Sequence, residues 1–437
     1  MKYYIVGIKG VFLSSLALIL NDLGFQVSGY DDNSEYRFTE DKLKQKNITI
    51  YTDENDYLTP GTVVVRSEHV SLEHSEIRKA LDMGLRVYEY NEIVARLTKL
   101  FDTITVAGCY GKSYVASLLA HTLSSDTPCN YLVGNGEGFA SKMSRKFVVE
   151  TSEFKKHFCD YTMEYAIITN IDINHVDYFH NINEVIDAYS EYANKATKMV
   201  IANGDNEYVR KLNVKSSIFY YGLNENNEIR AVDIDYYDRG TAFDVFIEDN
   251  YYGHFDLPIY GPDMVRDTLS VIAISYYERL EAKEIQRLLK YYDGCYRVFD
   301  DRKIGKTIVV DDYVHHPKQL EKIITSVKQK YPKLKLYVVF EPHSYDWFTV
   351  FENELVKILK NVNHVYIREI KSLYENKEDY SDISSMSLVK KLKNAEMIED
   401  DATVLLKHKG ECIIFASKIE MSELKHDLFK KIIKWNN

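Results

Sequence analysis

Val106-Ala107-Gly108-Cys109-Tyr110-Gly111-Lys112-Ser113 closes an apolar run, Ile104 to Ala107, and opens a helix-forming stretch from Lys112 to about Leu123. A strand, a glycine turn and a helix in that order make a phosphate-binding loop. The glycines let successive backbone N–H groups turn inward, and the helix start adds positive potential. Lys112 then offers a mobile charge for β- and γ-phosphates, and Ser113 a hydroxyl that can ligate Mg²⁺. The stretch is not the full G-x-x-x-x-G-K-[ST] pattern, because Val106 stands at the first glycine position. A plain glycine turn with a surface lysine is the competing account.

Working outward, Glu150 and Glu153 follow the apolar run Phe147 to Val149. His175 and Asp177 follow the run Tyr165 to Thr169, through Asn170-Ile171-Asp172-Ile173-Asn174. In open α/β sheets ligands collect outside the carboxyl ends of the strands, so these side chains are expected to converge on the loop of Lys112. Oxygen ligands with an occasional imidazole suit Mg²⁺ or Mn²⁺. Each residue taken alone also reads as a solvated loop position. Further on, Asp311-Asp312-Tyr313-Val314-His315-His316-Pro317 lies between a strand and a helix. Acids and imidazoles there can position an amine or accept a proton; a turn-capping Asp312 and a packed histidine are the alternative.

These segments fall in three units. Residues 1–99 begin with a strand (Tyr3 to Ile8), a glycine turn (Gly7, Gly10), a helix from about Ser14 and a strand ending before Asp31, a β-α-β start. Residues 100–296 carry the loop and two alternating runs around Asp249-Asn250, which predict an antiparallel hairpin beside the parallel strands. Residues 297–437 alternate strand and helix again, with runs at Thr307 to Val310, Lys335 to Phe340 and Cys412 to Phe415. The expected fold class is α/β in three domains: a Rossmann-like N-terminal sheet, a central P-loop ATPase-type sheet with antiparallel additions, and a Rossmann-like C-terminal sheet.

The formal net charge of -11 argues against a general grip on nucleic acid. No signal-like start and no apolar run of membrane-spanning length is present, which predicts a cytoplasmic protein without membrane insertion. A monomer or a weak homo-oligomer is expected, although the sequence does not fix the oligomeric state. The five cysteines lack a C-x-x-C pair and read as free thiols. Cys109, inside the glycine loop and near Lys112, is expected to have a lowered thiol pKa, with a merely small turn residue as the alternative.

In order and spacing, these segments resemble the Mur ligases over nearly the whole chain. The matching pieces include Gly7 to Gly10 with Ser14 to Ala17, Gly108 to Ser113, Glu150 to Glu153, and Thr169 to Asp172 with His175. Tyr220 to Gly222, Arg297 with Phe299, Asp311 to Pro317 and Phe340 to His343 complete them. The resemblance implies that ATP phosphorylates the carboxylate of UDP-N-acetylmuramate and that the amine of L-alanine attacks the acyl phosphate, a step in making peptidoglycan precursors. It implies a UDP-sugar at Gly7, Lys9, Gly10, Ser14 and Asp31, and ATP at Gly108 to Ser113, Asp267 and Arg297. Mg²⁺ or Mn²⁺ would sit at Ser113, Glu150, Glu153 and His175. Lys112, His175, Asp312 and His316 would carry catalysis, with His315 and His343 on the amino-acid side.

The chain also departs from that family. Phe12 stands where a third glycine is expected in the first loop, and its ring is expected to obstruct a pyrophosphate. Asp267 replaces an asparagine of the adenine-reading segment, Val298 and Trp347 replace arginines, and Ala416-Ser417-Lys418 replaces a glycine-alanine-glycine turn. Two function classes follow: a ligase, or a catalytically impaired Mur-like module that binds a nucleotide or a protein.

Overall fold

The computed structural model describes every residue except 54, 126, 177, 373, 374 and 437, so Asp177 lies outside the described residues. Three sheets follow one another along the chain. The first is wholly parallel, in the spatial order Thr49–Tyr51, Gln26–Tyr30, Lys2–Val6, Thr62–Arg66, Arg86–Glu89. Its central strands are apolar because helices cover both faces, with Ile5, Val64 and Val65 fully buried. Strand order reverses beside Lys2–Val6, which places a crevice at Gly7. The helix Val11–Asp22 starts three residues before the expected Ser14, because Gly10 caps it and accepts the Ser14 N–H at 2.8 Å.

Ten strands make the central sheet. Met163–Ile168, Asp102–Ala107 and Lys146–Glu150 lie side by side and parallel, so the loops after them share one edge. The expected hairpin is present as Gly240–Ile247 against Asn250–Leu257, antiparallel. In the six-stranded third sheet, Thr307–Tyr313 pairs with Cys412–Ser417 and, antiparallel, with Asp300–Ile304. That last edge strand is polar and half exposed, which hides it from hydrophobic patterning.

One apolar core runs through the first and central units, joining Ile5 and Leu16 to Leu132, Phe147 and Ile168. A Cβ placed on Gly138 would lie 2.2 Å from the Ser15 carbonyl oxygen, so only glycine permits the helix Val11–Asp22 to rest on the strand Glu137–Phe139. The third sheet has its own core around Val310, Phe340 and Leu355. Its seam with the central unit carries many polar contacts, described below. Among the described residues, no helix is long and apolar enough to cross a membrane.

Candidate active site

The helix Lys112–Thr122 begins at Gly111, whose φ of 83° is left-handed and suits glycine. A Cβ on Gly108 would meet Thr169 Oγ1 at 2.0 Å, so the turn is also closed by contact. Asn170 braces it: its Oδ1 accepts the N–H groups of Cys109 and Tyr110 at 3.0 and 3.1 Å, and its Nδ2 donates to the Tyr110 carbonyl at 2.7 Å. Lys112 Nζ donates to the Gly108 carbonyl at 2.6 Å and so lies along the rim of the curl.

The four expected metal ligands form two pairs rather than one cluster. Ser113 Oγ donates to Glu150 Oε1 at 3.1 Å, and Gly134 N–H donates to Glu150 Oε2 at 2.6 Å. Burial raises the Glu150 pKa, with Lys112 opposing. His175 Nε2 lies 3.8 Å from Glu153 Oε1, and Asn174 Nδ2 donates to the same oxygen at 3.3 Å. Among the described residues no group of three or more His, Cys, Asp or Glu side chains is arranged to hold an ion. Mg²⁺ needs only one or two carboxylates when phosphates supply its other ligands, and the Ser113–Glu150 pair fits that demand.

The third unit brings its histidines to the same loop. His315 Nε2 lies 3.0 Å from the Cys109 carbonyl, which can only accept, so Nε2 carries the proton. Burial, then Lys112, pushes the His315 pKa far down, which leaves Nδ1 as a lone pair. His316 is the same tautomer with its other nitrogen engaged: Nδ1 accepts the Lys318 N–H at 3.2 Å, so Nε2 bears the hydrogen. Its pKa is lowered to about 3 by burial and by Lys318, and the ring stays neutral. His316 stacks on Tyr110, and His343 leans on Trp347 with ring centroids 4.6 Å apart. His315 Nδ1, His316 Nε2 and Trp347 Nε1 are buried without a hydrogen-bond partner among the described residues. Asp312 accepts the Phe299 N–H at 2.8 Å, and burial lifts its pKa to about 7.

Several candidates have their side chains engaged in the scaffold. The Lys9 ammonium is 3% exposed and held by Glu40 and the carbonyls of Asn33 and Glu35, while Asp31 accepts the Lys9 N–H. The Ser14 hydroxyl donates to the Val11 carbonyl. Gly7 and Gly10 close the turn between them, with Gly10 N–H donating to Gly7 at 2.9 Å. Arg297 turns inward to Asp311, Ser417 and Lys418, which folds the linker onto the third sheet. The expectation of a lowered Cys109 pKa is overturned: the residue is 1% exposed, and desolvation with Glu153 raises its pKa well above the ordinary thiol value.

The departures from the family pattern sit at seams. Phe12 rests against Tyr90 and over Gly134, where an added Cβ would meet its Cζ at 2.5 Å and Glu150 Oε1 at 3.0 Å. Asp267 pairs with Lys322 of the third unit at 2.5 Å. These two, with Tyr110, Asn170, Asn203 and Arg266, line a cavity of about 160 Å³ beside the loop. Lys322, Asn203 and Arg266 were not expected from sequence. Lys322 lies only five positions past Pro317 on the helix that follows the histidines, which is the one local signal that pointed to it.

Comparison with known proteins agrees with this architecture. The Mur ligase family catalytic-domain description matches residues 2–102, and the Mur ligase middle-domain description matches residues 106–275. The UDP-N-acetylmuramate–L-alanine ligase of Lactiplantibacillus plantarum is 36% identical over 415 residues, 94% of each chain. The crystal structure of UDP-N-acetylmuramate–alanine ligase MurC from Thermotoga maritima superposes with a TM-score of 0.82 at 19% identity, covering 99% of this chain and 100% of the other. The MurF ligase of Thermotoga maritima in complex with ADP gives 0.62 at 15% identity, over 95% and 98%. With a relative this similar along almost its entire length, and with both domain descriptions matched in order, the chain belongs to the Mur ligase family.

Proposed function

We propose that this chain is an ATP-dependent ligase that joins the amine of L-alanine to the carboxylate of UDP-N-acetylmuramate in peptidoglycan precursor synthesis. The observation that carries the reading is the meeting of Lys112, the Ser113–Glu150 pair and His315 at one loop. The Lactiplantibacillus relative, 36% identical over 94% of both chains, supports the choice of substrates.

In the first step a carboxylate oxygen of the sugar attacks the γ-phosphorus of ATP. The bond to the bridging oxygen breaks, ADP leaves, and an acyl phosphate remains. In the second step the amine nitrogen attacks the acyl carbon, a C–N bond forms, and phosphate departs with the bonding pair. Lys112 neutralises the phosphates in both steps. Ser113 and Glu150 are the residues that would hold Mg²⁺, which would offset phosphate charge when bound. His315 Nδ1 is a buried lone pair that accepts a hydrogen bond from the amine and aims it at the acyl carbon, and the N–H groups of His316 and Trp347 orient the acceptor. Glu153 and His175 flank the transferred phosphoryl group. Docking of the third unit keeps water from the acyl phosphate.

The test is phosphate release from Mg-ATP with UDP-N-acetylmuramate and a panel of amino acids. Release that needs both the sugar nucleotide and L-alanine is expected. ATP binding without release for any acceptor overturns the ligase reading in favour of a nucleotide-binding module.

A further inference from the structure

The helix Pro317–Lys330 belongs to the third sheet's unit yet is fastened to the central one. Gln329 Oε1 accepts the Gly261 N–H at 2.6 Å, and its Nε2 donates to the carbonyls of Tyr237 and Gly240 at 3.0 and 2.8 Å. Ser326 Oγ donates to the Tyr260 carbonyl at 2.7 Å. Nearer the helix start, Lys322 Nζ lies 2.5 Å from Asp267 Oδ2, with side chains only 14% and 9% exposed. The Asp267 carboxylate in turn abuts the phosphate loop, since a Cβ on Gly111 would lie 3.0 Å from Oδ2.

A bare carboxylate at that point opposes any phosphate in the loop, because like charges at short range in a poorly hydrated site repel strongly. Lys322 cancels it. An ammonium has three N–H donors, and Asp267 takes one of them. The pair also faces the cavity formed by Tyr110, Asn170 and Arg266.

We propose that Lys322 is a phosphate-binding residue which the third unit delivers to the loop: it neutralises Asp267 and donates to the nucleotide's phosphates, so docking of that unit completes the nucleotide site. This inference rests on the loop being an ATP site. A simple bolt between units is the alternative, and the two differ in which ligands lose affinity.

The experiment measures binding of Mg-ATP, Mg-tripolyphosphate and adenosine to the full-length chain by calorimetry. Lys322→Met is expected to weaken ATP and tripolyphosphate by about tenfold or more while adenosine stays within about twofold, and Lys322→Arg to restore most of the loss. Asp267→Asn, which removes the opposing charge, is expected to tighten both phosphate ligands several-fold. Equal losses for ATP and adenosine in Lys322→Met, or no loss for either, overturn the proposal while leaving the ATP site intact. Should Lys322→Met fail to fold, the double variant Asp267→Asn with Lys322→Met is compared with Asp267→Asn alone: a further loss confined to ATP and tripolyphosphate supports the proposal, and equal losses with adenosine or no further loss overturn it. A wild-type chain that binds no ATP removes the ligase reading itself.

Discussion

The Ser113 hydroxyl donates to Glu150 Oε1 at 3.1 Å, tying the first turn of the loop's helix to the end of the neighbouring strand. Hydroxyl and carboxylate are hard oxygen donors, and burial keeps the carboxylate short of compensating charge. Glu150→Gln is expected to raise the Mg²⁺ concentration needed for half-maximal phosphate release by about 10–100-fold, measured by metal titration of turnover.

Lys112 lies on the rim of the same curl, bonded to the Gly108 carbonyl. Lys112→Ala is expected to lower ligase turnover by about 10²–10³ or more, as for other groups that meet charge developing in a transition state. Phosphate release at saturating ATP checks this; an unaffected variant would show that the loop is not the ATP site.

Cys109 is shut away from solvent and its thiol is harder to ionise than a free one. Alkylation of the native chain is therefore expected to leave Cys109 unlabelled at neutral pH with or without ATP, while labelling in denaturant reaches all five cysteines. Peptide mapping by mass spectrometry gives the answer, and rapid native labelling at Cys109 would contradict its burial.

Asp312 titrates near pH 7 when folded and near the ordinary carboxylate value when unfolded. Between those values the folded chain binds the extra proton, so this group's contribution falls as pH rises from about 4 to about 7 and is fully adverse above. His316, lowered to about 3, works the other way: its contribution is lost as pH drops from about 6.5 toward 3. Asp312→Asn is expected to raise the unfolding midpoint by about 2–4 °C at pH 8, with the gain shrinking toward pH 5. Thermal melts across that range test the sign.

Gly138 touches the backbone of Ser15 across the first seam. Gly138→Ala forces the helix Val11–Asp22 off its bed and is expected to cost about 1–3 kcal/mol, read from chemical denaturation. Gly294→Ala, where an added Cβ meets nothing within 4 Å, serves as the comparison, although its φ of 97° carries its own strain.

The strand–turn–helix at Val106 to Ser113, the alternation that makes three α/β units, and the carboxylates at strand ends were all legible in the chain itself, because glycine geometry and hydrophobic period are local properties. Which carboxylate meets which partner was not. Glu150 and Glu153 are three residues apart and look alike in sequence, yet one turns to Ser113 and the other to His175. Cys109 reads as activated from its neighbours in sequence, yet the packed loops exclude water from it, and the contact between Arg297 and Ser417 has no local signal. Asp267 and Lys322 stand 55 positions apart in different units, so no local pattern joins them. Charge, solvation and partner choice are set by what distant segments bring within a few ångströms, and only the packed chain decides that.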